Sequence, residues 1–146
     1  MFTFKLQSVR NYRQSIEEKK LREFVEVRKH LEHEQERLCE IGEEKAKLLG
    51  ELRDLQGNNF TAADISLCCA YHEIFKEKEI LQKEIVRQAD AAVNCLREAL
   101  LEAVQKRKIM DSLSEKQLHE YQKKMAALER DMADEVAVVR FIRDKK

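Results

Sequence analysis

Apolar residues return every three or four positions along the first third of the chain. Leu6, Val9, Arg13, Ile16, Lys20, Phe24, Val27, Leu31, Glu34, Leu38, Ile41, Lys45, Leu48 and Leu52 form one line, and ten of these fourteen are apolar. This is the a/d pattern of a coiled-coil helix. At Ile16, Lys20 and Phe24 two spacings of four stand side by side. Such a stutter locally unwinds a supercoil.

The pattern breaks once. Gly57-Asn58-Asn59-Phe60-Thr61 is the only cluster of turn residues. Thr61 is positioned to N-cap a second helix, with Asp64 where a capping box carries Glu or Gln. Gly42 and Gly50 fall inside the periodic stretch and weaken a helix there without ending it. The pattern therefore predicts a single all-α coiled-coil domain over residues 1–146. It comprises a helix near 4–56, a turn at 57–61 and a helix near 62–143. At 1.5 Å per residue these helices would be about 80 Å and about 120 Å long.

An antiparallel hairpin centred on that turn makes facing residue numbers sum to 119. The partners of the first line are then Leu113, Met110, Lys106, Ala103, Ala99, Cys95, Ala92, Gln88, Ile85, Leu81, Lys78, Ile74, Tyr71 and Leu67, eleven of fourteen apolar. Leu38 faces Leu81 and Leu52 faces Leu67. Phe24 faces the small group Ala92, Cys95 and Ala99, large against small. The weak points are Arg13 against Lys106 and Glu34 against Ile85. Burying such groups is costly, so their stems are expected to snorkel outward.

From about residue 114 the second helix has no partner left, yet its apolar stripe continues through Leu118, Tyr121, Met125, Leu128, Met132, Val136 and Val139. A helix with one apolar face and no cover is marginal in water. An exposed stripe of this kind marks a contact surface. A dimer through the overhang, or a first helix that starts further along, would cover it equally well.

Composition narrows the function. The chain has 28 basic and 28 acidic residues and a net charge of zero, which opposes a nucleic-acid binder held by bulk charge. With 38% charged residues, three Gly and no Pro, it lacks the turns of a sheet protein. A hydrophobic fraction of 43% is too high for a disordered chain. The charge is uneven: residues 1–30 and 104–146 are net basic, while residues 31–64 and 65–103 are net acidic. Ends of opposite sign steer toward different partners.

The chain carries no catalytic pattern. It has no Gly-rich phosphate loop and no HExxH. His30 and His33, among Glu26, Lys29 and Glu34, read as a solvated face. Cys39, Cys68, Cys69 and Cys95 form no CxxC, and Cys68 and Cys69 with His72 are an incomplete ligand set. Free thiols in a reducing cytoplasm fit this usage. Neither a signal peptide nor a membrane span is recognisable. A two-helix rod offers no concave site. No catalytic, cofactor or metal site is expected.

Both ends of the chain resemble the flagellar FliJ family. At the start stand Phe2-Thr3-Phe4, Leu6 and Val9, then Arg10 and Arg13. At the end stand Tyr121, then Leu128-Glu129-Arg130, then the run from Asp134 to Arg140. Lys78 departs from the aromatic and leucine residues the family keeps near the turn. The resemblance implies a non-enzymatic component of the flagellar type III export apparatus, similar to the gamma-subunit coiled coil of rotary ATPases. It implies two partners, the hexameric export ATPase and the cytoplasmic part of the membrane export gate. Export chaperones are a further possible contact. It implies a cytoplasmic location, peripheral to the inner membrane at the flagellar base.

On that resemblance the ATPase face comprises Tyr121, Met125, Leu128, Arg130, Met132, Val136, Val139 and Arg140. The gate face near the turn comprises Ile41, Leu48, Tyr71, Ile74, Phe75 and Leu81. An escort chaperone, the equivalent stalk of a virulence injectisome and a structural coiled-coil dimer are the competing expectations.

Overall fold

The structure, a computed structural model, describes residues 2–55 and 61–143. The turn residues Gly57, Asn58, Asn59 and Phe60 lie outside these. Two helices, α1 (Gln7–Leu55) and α2 (Ala62–Arg143), make up almost everything described, and no strand occurs among the described residues. They pack against each other as an all-α, two-helix coiled-coil hairpin. Pro is absent and the helices are rich in Ala, Leu, Glu, Lys, Arg and Gln, the residues that lose least on entering a helix. Charged pairs one turn apart, such as Arg28 with Glu32, Lys83 with Glu79 and Arg87 with Glu84, lace the exposed faces.

The start of α2 is a capping box with Asp in place of Glu. The Thr61 backbone N–H donates to Asp64 Oδ2 at 3.0 Å, and the Asp64 N–H donates back to Thr61 Oγ1 at 3.4 Å. The Asp64 N–H also donates to the Thr61 carbonyl at 3.1 Å, so both amides at this helix start are satisfied. The Thr61 hydroxyl also donates to Asp64, and this contact holds the Asp64 carboxyl below its ordinary range.

Contacts divide the chain into two compact units. Unit 1 is Met1–Glu18 with Leu101–Lys146, and unit 2 is Lys19–Leu100. On α1 the division falls between Glu18 and Lys19, within the stretch where Ile16, Lys20 and Phe24 keep two spacings of four.

In unit 2 the line on α1 is as the spacing predicts. Phe24, Val27, Leu31, Glu34, Leu38, Ile41, Lys45, Leu48 and Leu52 are all buried or half-buried. The line on α2 is not. The covered residues include Cys68, Phe75, Glu79, Gln82, Val86, Ala89, Val93 and Leu96, each one residue later than predicted, while Ala99 of the expected line stays half-buried. Leu67, Tyr71, Ile74, Leu81, Ile85, Ala92 and Cys95 are left exposed.

Polar satisfaction explains the correction. Glu34 and Gln82 are the two buried polar residues among those described. Gln82 Nε2 donates to the Glu34 carboxylate at 2.6 Å and to the Glu34 carbonyl at 3.0 Å. Lys45 Nζ donates to Glu79 at 2.9 Å. In the expected phase Glu34 would have met Ile85 and Lys45 would have met Ile74. Each charge would then lie against hydrocarbon, which costs more than a somewhat less apolar seam.

In unit 1 the seam is charged as well. Phe4 and Ala103 are buried, while Leu6 and Val9 turn outward and Arg10 takes the half-buried place. Arg10 Nε pairs with Asp111 at 2.6 Å, and Arg107 joins Asp111 to Glu17. Ala103, Met110 and Leu113 of the expected line do stay inward here, while Lys106 is exposed. Packing also runs past the residue-114 limit. Ser114, Gln117 and Tyr121 are half-buried, and the Phe2 and Tyr121 rings lie 5.6 Å apart. The sequence count missed this cover because Phe2 to Phe4 precede the helix and contribute outside its periodicity.

The seam can be tested by mutation. Gln82→Leu, which leaves the Glu34 carboxylate buried without its donor, lowers the melting temperature by several degrees. Adding Glu34→Leu restores stability to at least the parent level, as replacement of a whole buried polar pair commonly does. Thermal unfolding of the two single variants and the double variant checks this. Separately, Gly42 and Gly50 have nothing within 4 Å of an added Cβ. Changing either to Ala stabilises the chain by about 0.5–1 kcal/mol, read by urea unfolding.

Candidate functional site

Among the described residues no group of three or more His, Cys, Asp and Glu side chains is placed to hold a metal. The four cysteines are unpaired, with Cys39, Cys69 and Cys95 exposed and Cys68 half-buried. His30 lies 3.8 Å from Glu34. No described helix is long and apolar enough to cross a membrane. What the chain offers is apolar helix surface, and each unit carries its own.

In unit 1 the surface lies on α2 beyond Tyr121. Every described residue from 122 to 143 is exposed. Met125 is 38% exposed, Leu128 55%, Met132 66%, Val136 51% and Val139 59%. Their spacing of three and four keeps them on one face. Of the ATPase-face residues named from the sequence, Tyr121 stands apart, because it is half-buried against Phe2. Arg130 and Arg140 are exposed, and Arg130 Nε donates to the Ala126 carbonyl one turn back at 3.1 Å. Arg140 and Arg143 occupy the last turn of α2, where cations favour the negative end of the helix dipole.

The sequence reading missed Val138, Phe141 and Ile142, which are also more than half exposed. The run from Val136 to Ile142 is apolar on more than one face, so a single three-four line passes over part of it. The signal was the density of apolar residues, not their period.

In unit 2 the gate-face residues named from the sequence separate into two sets. Ile41, Leu48 and Phe75 are half-buried in the seam. Tyr71, Ile74 and Leu81 are exposed on α2. Leu67 and Ile85 extend this second set and were not named. They lie on the line expected to be the core, so the reading that filled the seam with them hid them as surface.

The charged groups that fix the units are shifted by their partners. Donation from Lys83, then from Lys45, holds the Glu79 carboxyl down to about 2. Arg10 holds Asp111 below its ordinary range, and Glu17 raises Arg107. Gln82 lowers Glu34.

The described residues thus form a two-helix coiled coil in which each unit has an exposed apolar face on α2. The chain belongs to the FliJ family, since the family model described as flagellar FliJ protein matches residues 1–146. No curated protein and no solved structure matches the chain. Membership makes it a component of the flagellar type III export apparatus, in a family that is non-catalytic.

Because these carboxylates titrate lower in the folded chain than in the unfolded one, they stabilise above the unfolded value of about 4.3. That contribution is lost as pH falls toward 2. Melting temperature is therefore expected to be level above about pH 5.5 and to drop steeply below about pH 4. Glu79→Gln flattens part of the drop, and a thermal scan at stepped pH reads both.

Proposed function

We propose that the chain acts within flagellar export as a stalk-like, non-enzymatic coupling element. It binds the hexameric export ATPase through the exposed end of α2 and the cytoplasmic part of the membrane export gate through its turn-side half. The observation that carries the reading is the line Met125, Leu128, Met132, Val136 and Val139, uncovered beyond Tyr121. A face this apolar at the end of a charged helix is energetically costly in water and gains most from a shaped partner. Arg130 and Arg140 flank the line and suit acidic groups at the inner surface of an ATPase ring.

The gate face draws on Tyr71, Ile74 and Leu81, which are exposed, with Ile41, Leu48 and Phe75 supporting them from the seam. The net acidic charge of residues 31–103 against the net basic charge of the two chain ends supports different partners for the two halves. The proposed location is the cytoplasmic side of the inner membrane at the flagellar base. An escort role toward export cargo would use the same exposed end of α2, and a virulence-type injectisome stalk would share the architecture.

The test measures ATPase affinity and thermal unfolding on one variant. Leu128→Ala with Met132→Ala is expected to weaken ATPase binding at least tenfold, since anchors at an interface centre cost ~2 kcal/mol or more on truncation. The melting temperature stays within a degree or two, because both residues are exposed. Unchanged affinity overturns the reading. So does a binding loss that merely tracks unfolding.

A further inference from the structure

Within unit 2, α2 carries a second heptad line beside the covered one. Leu67, Tyr71, Ile74, Leu81 and Ile85 keep the four-three spacing, each more than 40% exposed. Lys78 interrupts them, and Gln88, Ala92 and Cys95 continue the line. A line sustained over four heptads is long enough to seat a coiled-coil partner. Beside Leu81 runs a groove of about 390 Å³ lined by Arg37, Glu40, Ile41, Glu44, Lys78 and Gln82.

Its lining carries two cations, Arg37 and Lys78, and two carboxylates, Glu40 and Glu44. The two cations are already engaged: Arg37 lies 4.0 Å from Glu34, and Lys78 Nζ stands 5.3 Å from the centroid of the Phe75 ring. Glu79 and Glu84 are satisfied by lysine and arginine. Glu40 and Glu44 on the α1 wall, and Glu77 on the opposite flank of the line, have no ion pair among the described residues. A second copy laid antiparallel on this line would bring the Glu77 and Glu84 flank against its own kind, like charge on like.

We infer that the exposed line of α2 receives an amphipathic helix of another protein whose apolar stripe is bordered by Lys or Arg. Its apolar residues cover Leu67, Tyr71, Ile74, Leu81 and Ile85, and its cations meet Glu40, Glu44 and Glu77. This rests on the reading that Tyr71, Ile74 and Leu81 belong to the gate-docking face, and it specifies the chemistry of what docks there.

The probes are two labelled 28-residue peptides with the same leucine stripe, one flanked by Lys and its twin by Glu. Binding to the full chain is followed by fluorescence anisotropy. The Lys-flanked peptide is expected to bind at least tenfold more tightly at low salt, with the preference shrinking as salt is raised. The triple change Glu40→Lys, Glu44→Lys and Glu77→Lys reverses the preference. Leu81→Asp removes binding of the Lys-flanked peptide without changing the melting temperature.

Equal binding of the twins overturns the inference, as does a preference that survives the triple change. A dimer in sedimentation that Leu81→Asp dissolves also overturns it. The gate's cytoplasmic fragment separates the two readings. If it binds and is lost with Leu81→Asp, but ignores salt and charge reversal, the gate reading stands and this one falls. If it fails to bind while the Lys-flanked peptide depends on Leu81 and on the three glutamates, this one stands and the gate reading falls.

Discussion

A charge placed in a two-helix seam must find its partner on the facing helix, and that constraint governs the rest of this structure. With only two helices in contact, no described side chain reaches full burial: the most covered residues, Phe4, Leu31, Glu34, Gln82, Ala89 and Ala103, keep 5–9% of their surface. Apolar burial therefore discriminates weakly between one phase of α2 and the next. A carboxylate or ammonium set against hydrocarbon discriminates strongly. Glu34 with Gln82 and Lys45 with Glu79 settle the phase in unit 2. The chain of Arg10, Asp111, Arg107 and Glu17 plays the same part in unit 1.

What the polar pairs take into the seam, they displace from it. In unit 2 the more apolar of the two candidate lines on α2 lies outside, and Glu40, Glu44 and Glu77 beside it have no ion pair among the described residues. In unit 1 the N-terminal Phe2 covers α2 as far as Tyr121 and no further, so the end of the helix presents its apolar face to water. Each unit thus carries an exposed apolar line on α2, the one in unit 2 interrupted by Lys78.

Much of this was legible in the residues themselves. The three-four spacing from Leu6 to Leu52 specified a helix, and Gly57-Asn58-Asn59 with Thr61 marked the only break. Thr61 and Asp64 announced the start of α2, and the aromatic start and the Asp134–Arg140 run pointed to the family. These are local signals: period, turn chemistry, capping and motif each act over a few residues, and no tertiary term competes with them.

The facing of α2 was not legible, because it is a choice between two lines one residue apart, each mostly apolar. Counting apolar partners favours Leu67, Tyr71, Ile74, Leu81 and Ile85. Only the packed helices reveal that Glu34 and Lys45 need Gln82 and Glu79 opposite them. The reach of Phe2 onto Tyr121 was hidden for a related reason, since a non-helical segment ahead of a helix has no period to read. The sequence by itself thus determined the two-helix fold and the family. The tertiary structure decided which face of α2 is core and which is surface, because hydrogen-bond satisfaction across the seam is a property of pairs far apart in the chain.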